Sequence, residues 1–217
     1  MTEDLPEVVP ASAPVVSVIG EAVLRAEPDE AIVLVTLSAL ADTPGPALED
    51  VARRSGSLVA LLDELGVRPA DRSTTGVSVQ EDFDHTRQGR RSLGQRAAST
   101  TAIRLTDLES IGRLVMRATA ELDATIDGPR WQIAADNPVR LEAARQAAAH
   151  GRRKAQAYAE GVGAQLGMVV RLAEARPGQA MGRRTSGVAN AAAAHSIPIE
   201  AGEQEVTAAI EVTFTLI

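Results

Sequence analysis

"VVSVIGEAVLRAEPDEAIVLVTLSAL", Val15 to Leu40, sets two runs of β-branched and aliphatic residues on either side of the acidic stretch Glu27-Pro28-Asp29-Glu30. Each run has the length of a strand. Pro28-Asp29 suits the start of a chain reversal, because proline presets φ and aspartate bonds its own downstream backbone. The two runs are therefore expected to form an antiparallel hairpin closed at "EPDE". Gly20, inside the first run, marks a bulge or a close backbone approach. Glu21, Glu27, Asp29 and Glu30 could offer carboxylate oxygens to a hard cation. Yet Glu21 lies well down the strand from the turn and Asp29 explains itself as a turn residue, so no metal site is assigned.

The other end of the chain, "EVTAAIEVTFTLI", alternates cleanly. Val206, Ala208, Ile210, Val212, Phe214 and Leu216 share one face and Thr207, Glu211, Thr213 and Thr215 the other, as in a strand buried on one side.

Between these strands the period changes to that of helices. After "DTPGP", Leu48, Val51, Leu58, Leu62 and Leu65 recur at helical spacing, with Glu49 and Asp50 in the first turn and Gly66, then Pro69, at the end. Two extended segments, about 74–84 and 95–105, follow. Their link, "HTRQGRRSLGQR", holds four arginines and no acid. Thr106 and Glu109 have capping-box spacing ahead of Leu108, Ile111, Leu114, Val115 and Ala118. Ile126, Trp131 and Ile133 mark a strand bent at "DGP". Asn137-Pro138 gives the N-cap and first position of a third helix running to about Gly161, with Leu141, Ala144, Ala148, Ala155, Tyr158, Ala159 and Val162 as its inner face.

A strand at about 165–175 leads into "RPGQAMGRRTSGVANAAAAHS", read as a mobile loop over about 176–198. Residues 1–13 read as a flexible lead, since Pro6, Pro10 and Pro14 lack backbone donors. The expected fold is α+β, with antiparallel or mixed sheets packed against about three helices over residues 14–217, as one domain or two intertwined α/β subdomains.

Composition narrows the function. The chain has 217 residues, 45% of them hydrophobic, so it can bury a substantial core. Aromatic residues are only 2%, which leaves few rings for stacking bases or sugars. A net charge of -7 argues against nucleic acid as a partner. The absence of cysteine excludes disulfides, thiolate nucleophiles and cysteine zinc sites. "MTEDLPEVVPASAP" lacks the basic start and apolar core of a secretory signal, and the apolar run Ala31 to Ala41 is too short to span a bilayer. A soluble cytoplasmic protein without a transmembrane segment is expected.

Candidate chemistry is sparse. His85, His150 and His195 have no ligand spacing and no evident triad partner. No phosphate-binding glycine motif follows a strand. No catalytic, cofactor-binding or metal-binding residue is assigned, and no cofactor is expected. Arg87, Arg90, Arg91 and Arg96 form the most pronounced local charge feature, suited to an anion, an acidic partner or a neighbouring subunit. A solvated loop protecting a sheet edge is the competing reading. An anion or small molecule held between sheet and helices, near Trp131 and the arginine loop, is the second functional reading.

Three stretches together resemble one family. "VSVIGEAVLRAEPDEAIVLVTLSALADT" is similar to the opening of the SIMPL-domain proteins, the domain of unknown function 541. "LGQRAASTTAIRLTDLESIGRLVMRA" resembles their middle hairpin and following helix, and "AGEQEVTAAIEVTFTLI" their closing strand. Gln95 stands where the family often has Tyr, and Ala201-Gly202 where it often has Pro-Gly. The resemblance implies an α+β fold and, as in at least some relatives, assembly into large ring-like homo-oligomers. It brings no catalytic residues. A non-enzymatic role through self-assembly or partner binding, in stress or envelope-related processes, is what it implies here.

Overall fold

A computed structural model describes residues 14–86, 89–107, 109–175 and 201–217. The lead at 1–13, the loop at 176–198 with His195, Arg87 and Leu108 lie outside the described residues. The fold is α+β. Its strands are β1 (Val15–Ala26), β2 (Glu30–Ala41), β3 (Arg72–Thr86), β4 (Gly89–Leu105), β5 (Thr125–Gln132), β6 (Leu166–Glu174) and β7 (Gln204–Leu216). Its helices are α1 (Pro44–Glu64), α2 (Ser110–Leu122) and α3 (Pro138–Gly161). Among the described residues the strands make two antiparallel sheets, ordered β1-β7-β6 and β3-β4-β2-β5. The chain divides into two compact units, one around each sheet.

β1 and β2 are strands as expected, but they do not form the expected hairpin. β2 has β4 on one side and β5 on the other, so both of its backbone edges are occupied. β1 instead pairs with β7, where Pro14 C=O accepts from Leu216 N–H and Ser17 meets Thr213 across the strands. "EPDE" is thus the passage from one unit to the next. Asp29 still organises its surroundings: its N–H donates to Gln132 C=O at 3.2 Å and its carboxylate accepts from Ala134 N–H at 2.7 Å.

In the four-stranded unit, alternation along β2 sends Ala31, Val33, Val35 and Leu37 into the core with Ile103 and Leu105 of β4. α1 covers them with Leu58, Leu61 and Leu62, and α2 with Ile111, Leu114 and Ala118. α1 begins at Pro44, earlier than expected, because prolines at its first positions give up amides that have no helical acceptor. Glu49 and Asp50 consequently fall beyond its first turn. α2 does not use the Thr106–Glu109 box. Glu109 is the N-cap residue, without a side-chain cap, and Asp107 braces the turn ahead of it, accepting Glu109 N–H at 3.1 Å on its carboxylate and Ser110 Oγ–H at 2.6 Å on its carbonyl. The bend expected at "DGP" is present: the β2–β5 register shifts opposite Gly128-Pro129.

In the three-stranded unit, β7 turns Val206, Ile210, Val212 and Phe214 inward, as its alternation predicted. α3 starts where expected, with the Asn137 side chain accepting from Val139 N–H at 2.9 Å. Its buried stripe is Ala143, Ala147, Gly151, Ala155 and Ala159, every fourth residue. Of the expected inner face, Ala155 and Ala159 are buried, while Leu141, Tyr158 and Val162 point to solvent. The reason is how closely the backbones approach. A Cβ on Gly20 would lie 2.1 Å from Ala147 C=O and 2.5 Å from Gly151 N, so only a strip of Ala and Gly fits against β1. The larger side chains are turned outward.

Candidate functional site

The arginines foreseen as a loop lie on a long two-stranded ribbon. β3 and β4 remain paired out to Thr86 and Gly89, with Asp84 opposite Arg91 and Gln80 opposite Arg96. Arg96 donates from Nε to Asp82 at 2.8 Å and adds a second bond from its terminal nitrogen, a two-pronged pair that holds the Asp82 carboxyl below the usual carboxylate range. The Phe83 amide also donates to that carboxylate, at 3.0 Å. Arg90 lies over the Phe83 ring with its guanidinium carbon 3.2 Å from the centroid. The ribbon therefore answers its own charges: Arg96 is spent on Asp82, Arg90 rests on Phe83, and Arg91 faces Asp84 across the ladder.

Trp131 and these arginines do not share a site. Arg90 is near the start of β4, whereas Trp131 pairs with Ala31, which pairs with Leu105 at the end of β4. Residues 90 to 105 of an extended strand span about 50 Å at 3.3 Å each. A cleft of about 240 Å³ does exist in this unit, between α1 and the β3–β4 edge. Ser55, Val59, Arg72, Thr74, Ser99 and Thr101 are among its lining residues. Arg72 there is committed to the protein, giving hydrogen bonds to Val59 C=O at 3.1 Å and Asp63 at 2.6 Å.

The histidines are dispersed. His85 belongs to β3, while His150 lies on α3 with Nδ1 3.0 Å from Glu21 N and 2.9 Å from Glu21 O. His150 Nδ1 is thus placed to accept from the Glu21 amide. Of the four acidic residues near the first strands, Glu21 lies on β1 and Asp29 binds backbone. Among the described residues, no three His, Asp or Glu side chains gather as a metal cage, and no helix is long and apolar enough to cross a membrane.

The surface feature the sequence reading passed over is β6. Met168, Val169, Val170 and Leu172 are 78%, 57%, 59% and 61% exposed on one short strand. Singly, exposed aliphatics mean little; contiguous ones mark contact surfaces. The signal available was "GMVVRLA", apolar at consecutive positions where a one-sided strand would alternate.

The chain is thus an α+β protein of two sheet-and-helix units with an exposed apolar strand. The family described as SIMPL, protein of unknown function (DUF541), matches residues 16–214, and the chain belongs to it. The chain is 26% identical to the "26 kDa periplasmic immunogenic protein" of Brucella melitensis biotype 1, over 93% of its own length and 84% of that protein's. The protein of the same name from Brucella abortus strain S19 matches to the same extent. These names correct the cytoplasmic expectation. It rested on the composition of the first residues, whereas relatives aligned over nearly the whole chain are named as periplasmic.

Proposed function

We propose that this protein is a non-enzymatic component of the bacterial envelope, working in the periplasm through assembly with copies of itself or by binding a protein partner. The observation that carries this reading is the exposed apolar strand β6, a surface suited to protein contact and unsuited to a lone chain in water. The periplasmic names of the Brucella relatives support the location, and a match over 93% of this chain and 84% of theirs supports a shared architecture. A role in stress protection at the envelope fits this location.

Anion capture by Arg90, Arg91 and Arg96 has weaker support, because Asp82 and Phe83 already engage two of the three. An acidic partner lying along the ribbon would have to displace those contacts. Size-exclusion chromatography with light scattering across micromolar concentrations tests the assembly half of the proposal. A mass above the 22.7 kDa of one chain is expected. A strict monomer at every concentration leaves partner binding alone.

A further inference from the structure

We infer that β6 is the edge through which two copies of this chain join, pairing antiparallel across a two-fold axis near Leu172 to make one continuous sheet. This rests on the assembly reading above and names its surface. Antiparallel strands present N–H and C=O alternately to one neighbour and away from it. On β1, Pro14 C=O faces β7, so Ile19 and Glu21 present theirs outward. Two of those outward groups are already taken: Glu21 N–H donates to His150 Nδ1 at 3.0 Å, and Lys154 donates to Ile19 C=O at 3.4 Å. α3 thereby closes one edge of the sheet.

β6 is the other edge. Ala175 N–H donates inward to Ala209 C=O, so Leu172 and Glu174, at the alternate positions, present their backbone groups away from β7. Bulges, which blunt an edge, are confined to the stretch from Leu166 to Arg171, and the ladder is regular from Arg171 to Glu174. Among the described residues the remaining sheet edges carry deterrents of their own, whereas β6 sets two charges, Arg171 and Glu174, among exposed apolar residues. β3 displays Glu81, Asp82 and Asp84, and β5 contains Pro129, which has no N–H, while its Trp131 C=O is capped by Gln204 at 2.7 Å.

The occupant follows from these features. Outward N–H and C=O groups call for an extended backbone, and the apolar side chains on both faces call for an apolar strand. Among the described strands, β6 itself offers such a run, Met168, Val169, Val170 and Leu172. In an antiparallel two-fold pair each residue must face one of the same parity, and the axis passes through a residue whose backbone points outward. Leu172 meets that condition in the regular stretch. It would lie opposite its own copy with Arg171 facing Ala173.

The test uses the full chain. Leu172→Lys places a charge on the joint, and Leu172→Pro removes an amide that points away from β7, so neither deletes a ladder bond. Light scattering should show at least a twofold fall in mass for both, with the far-UV circular dichroism unchanged. Val23→Lys, on the strand that α3 closes, should leave the mass as it was. Because the chain has no cysteine, Leu172→Cys with a short bis-maleimide gives an independent readout: a covalent dimer is expected, and none from Val23→Cys. Wild-type assembly that survives the Leu172 variants, or equal cross-linking at both positions, would overturn the inference while leaving the assembly reading intact. A monomeric wild type overturns both.

Discussion

Gly20→Ala examines a close approach of strand backbone to helix backbone. The added methyl would meet Ala147 C=O at 2.1 Å and Gly151 N at 2.5 Å, and both are backbone atoms of α3. No rotamer change can relieve this overlap, so the whole helix must move off the sheet. Overpacked cores lose 1–3 kcal/mol and sometimes more, and a backbone-on-backbone clash belongs at the top of that range, about 3 kcal/mol. Gly151→Ala is the internal control. Its methyl would meet the tip of the Val212 side chain at 2.9 Å, which can turn away, and alanine adds about 1 kcal/mol of helix propensity. The two substitutions change the same contact by one carbon each, yet the second should cost less than half of the first. Urea unfolding followed by circular dichroism gives the energies. Amide exchange along Ala143 to Ala159 should quicken by about a hundredfold in Gly20→Ala, the factor that 3 kcal/mol implies. A loss below about 1 kcal/mol for Gly20→Ala, or an equal loss for Gly151→Ala, would refute the close-approach argument.

Leu62→Ala empties a fully buried position between α1 and the larger sheet, and should cost about 2–5 kcal/mol in urea unfolding followed through Trp131 fluorescence. Asn137→Ala removes the acceptor of Val139 N–H and should cost about 1 kcal/mol, read as earlier melting of α3 in hydrogen exchange. Asp71 takes hydrogen bonds from Arg68 at 2.6 Å and Arg104 at 2.6 and 3.1 Å, which hold its carboxyl below the usual range, Arg68 contributing most. A depressed carboxylate stabilises the fold above its unfolded pKa of about 4 and loses that contribution as pH falls through the folded value. Wild type should therefore exceed Asp71→Asn in stability at neutral pH, with the gap closing below about pH 4 in a pH series of thermal melts.

The strands and helices were largely legible from the sequence because they rest on local period and capping. β7 alternates, Asn137-Pro138 opens α3, and Gly20 announced a close approach that the helix of Ala and Gly then supplied. Pairing was not legible, since nothing within Val15 to Leu40 tells β1 that its partner is β7, at the far end of the chain, nor tells β2 that β4 and β5 will enclose it. The inner face of α3 misled for a related reason. Hydrophobic size predicts burial only where there is room, and at this contact Leu141 and Tyr158 do not fit. On the surface, the arginine cluster drew attention by its charge, but the acids that answer it sit on the opposite strand. β6 was read as a strand, and its role as an edge emerged only from the directions of its amides.

Native mass spectrometry of the wild-type chain under non-denaturing conditions tests the central claim most directly, because it counts copies. Pairing through β6 makes the dimer the building block, so the masses should be even multiples of 22.7 kDa. A single chain throughout, or a closed ring with an odd number of copies, would contradict it.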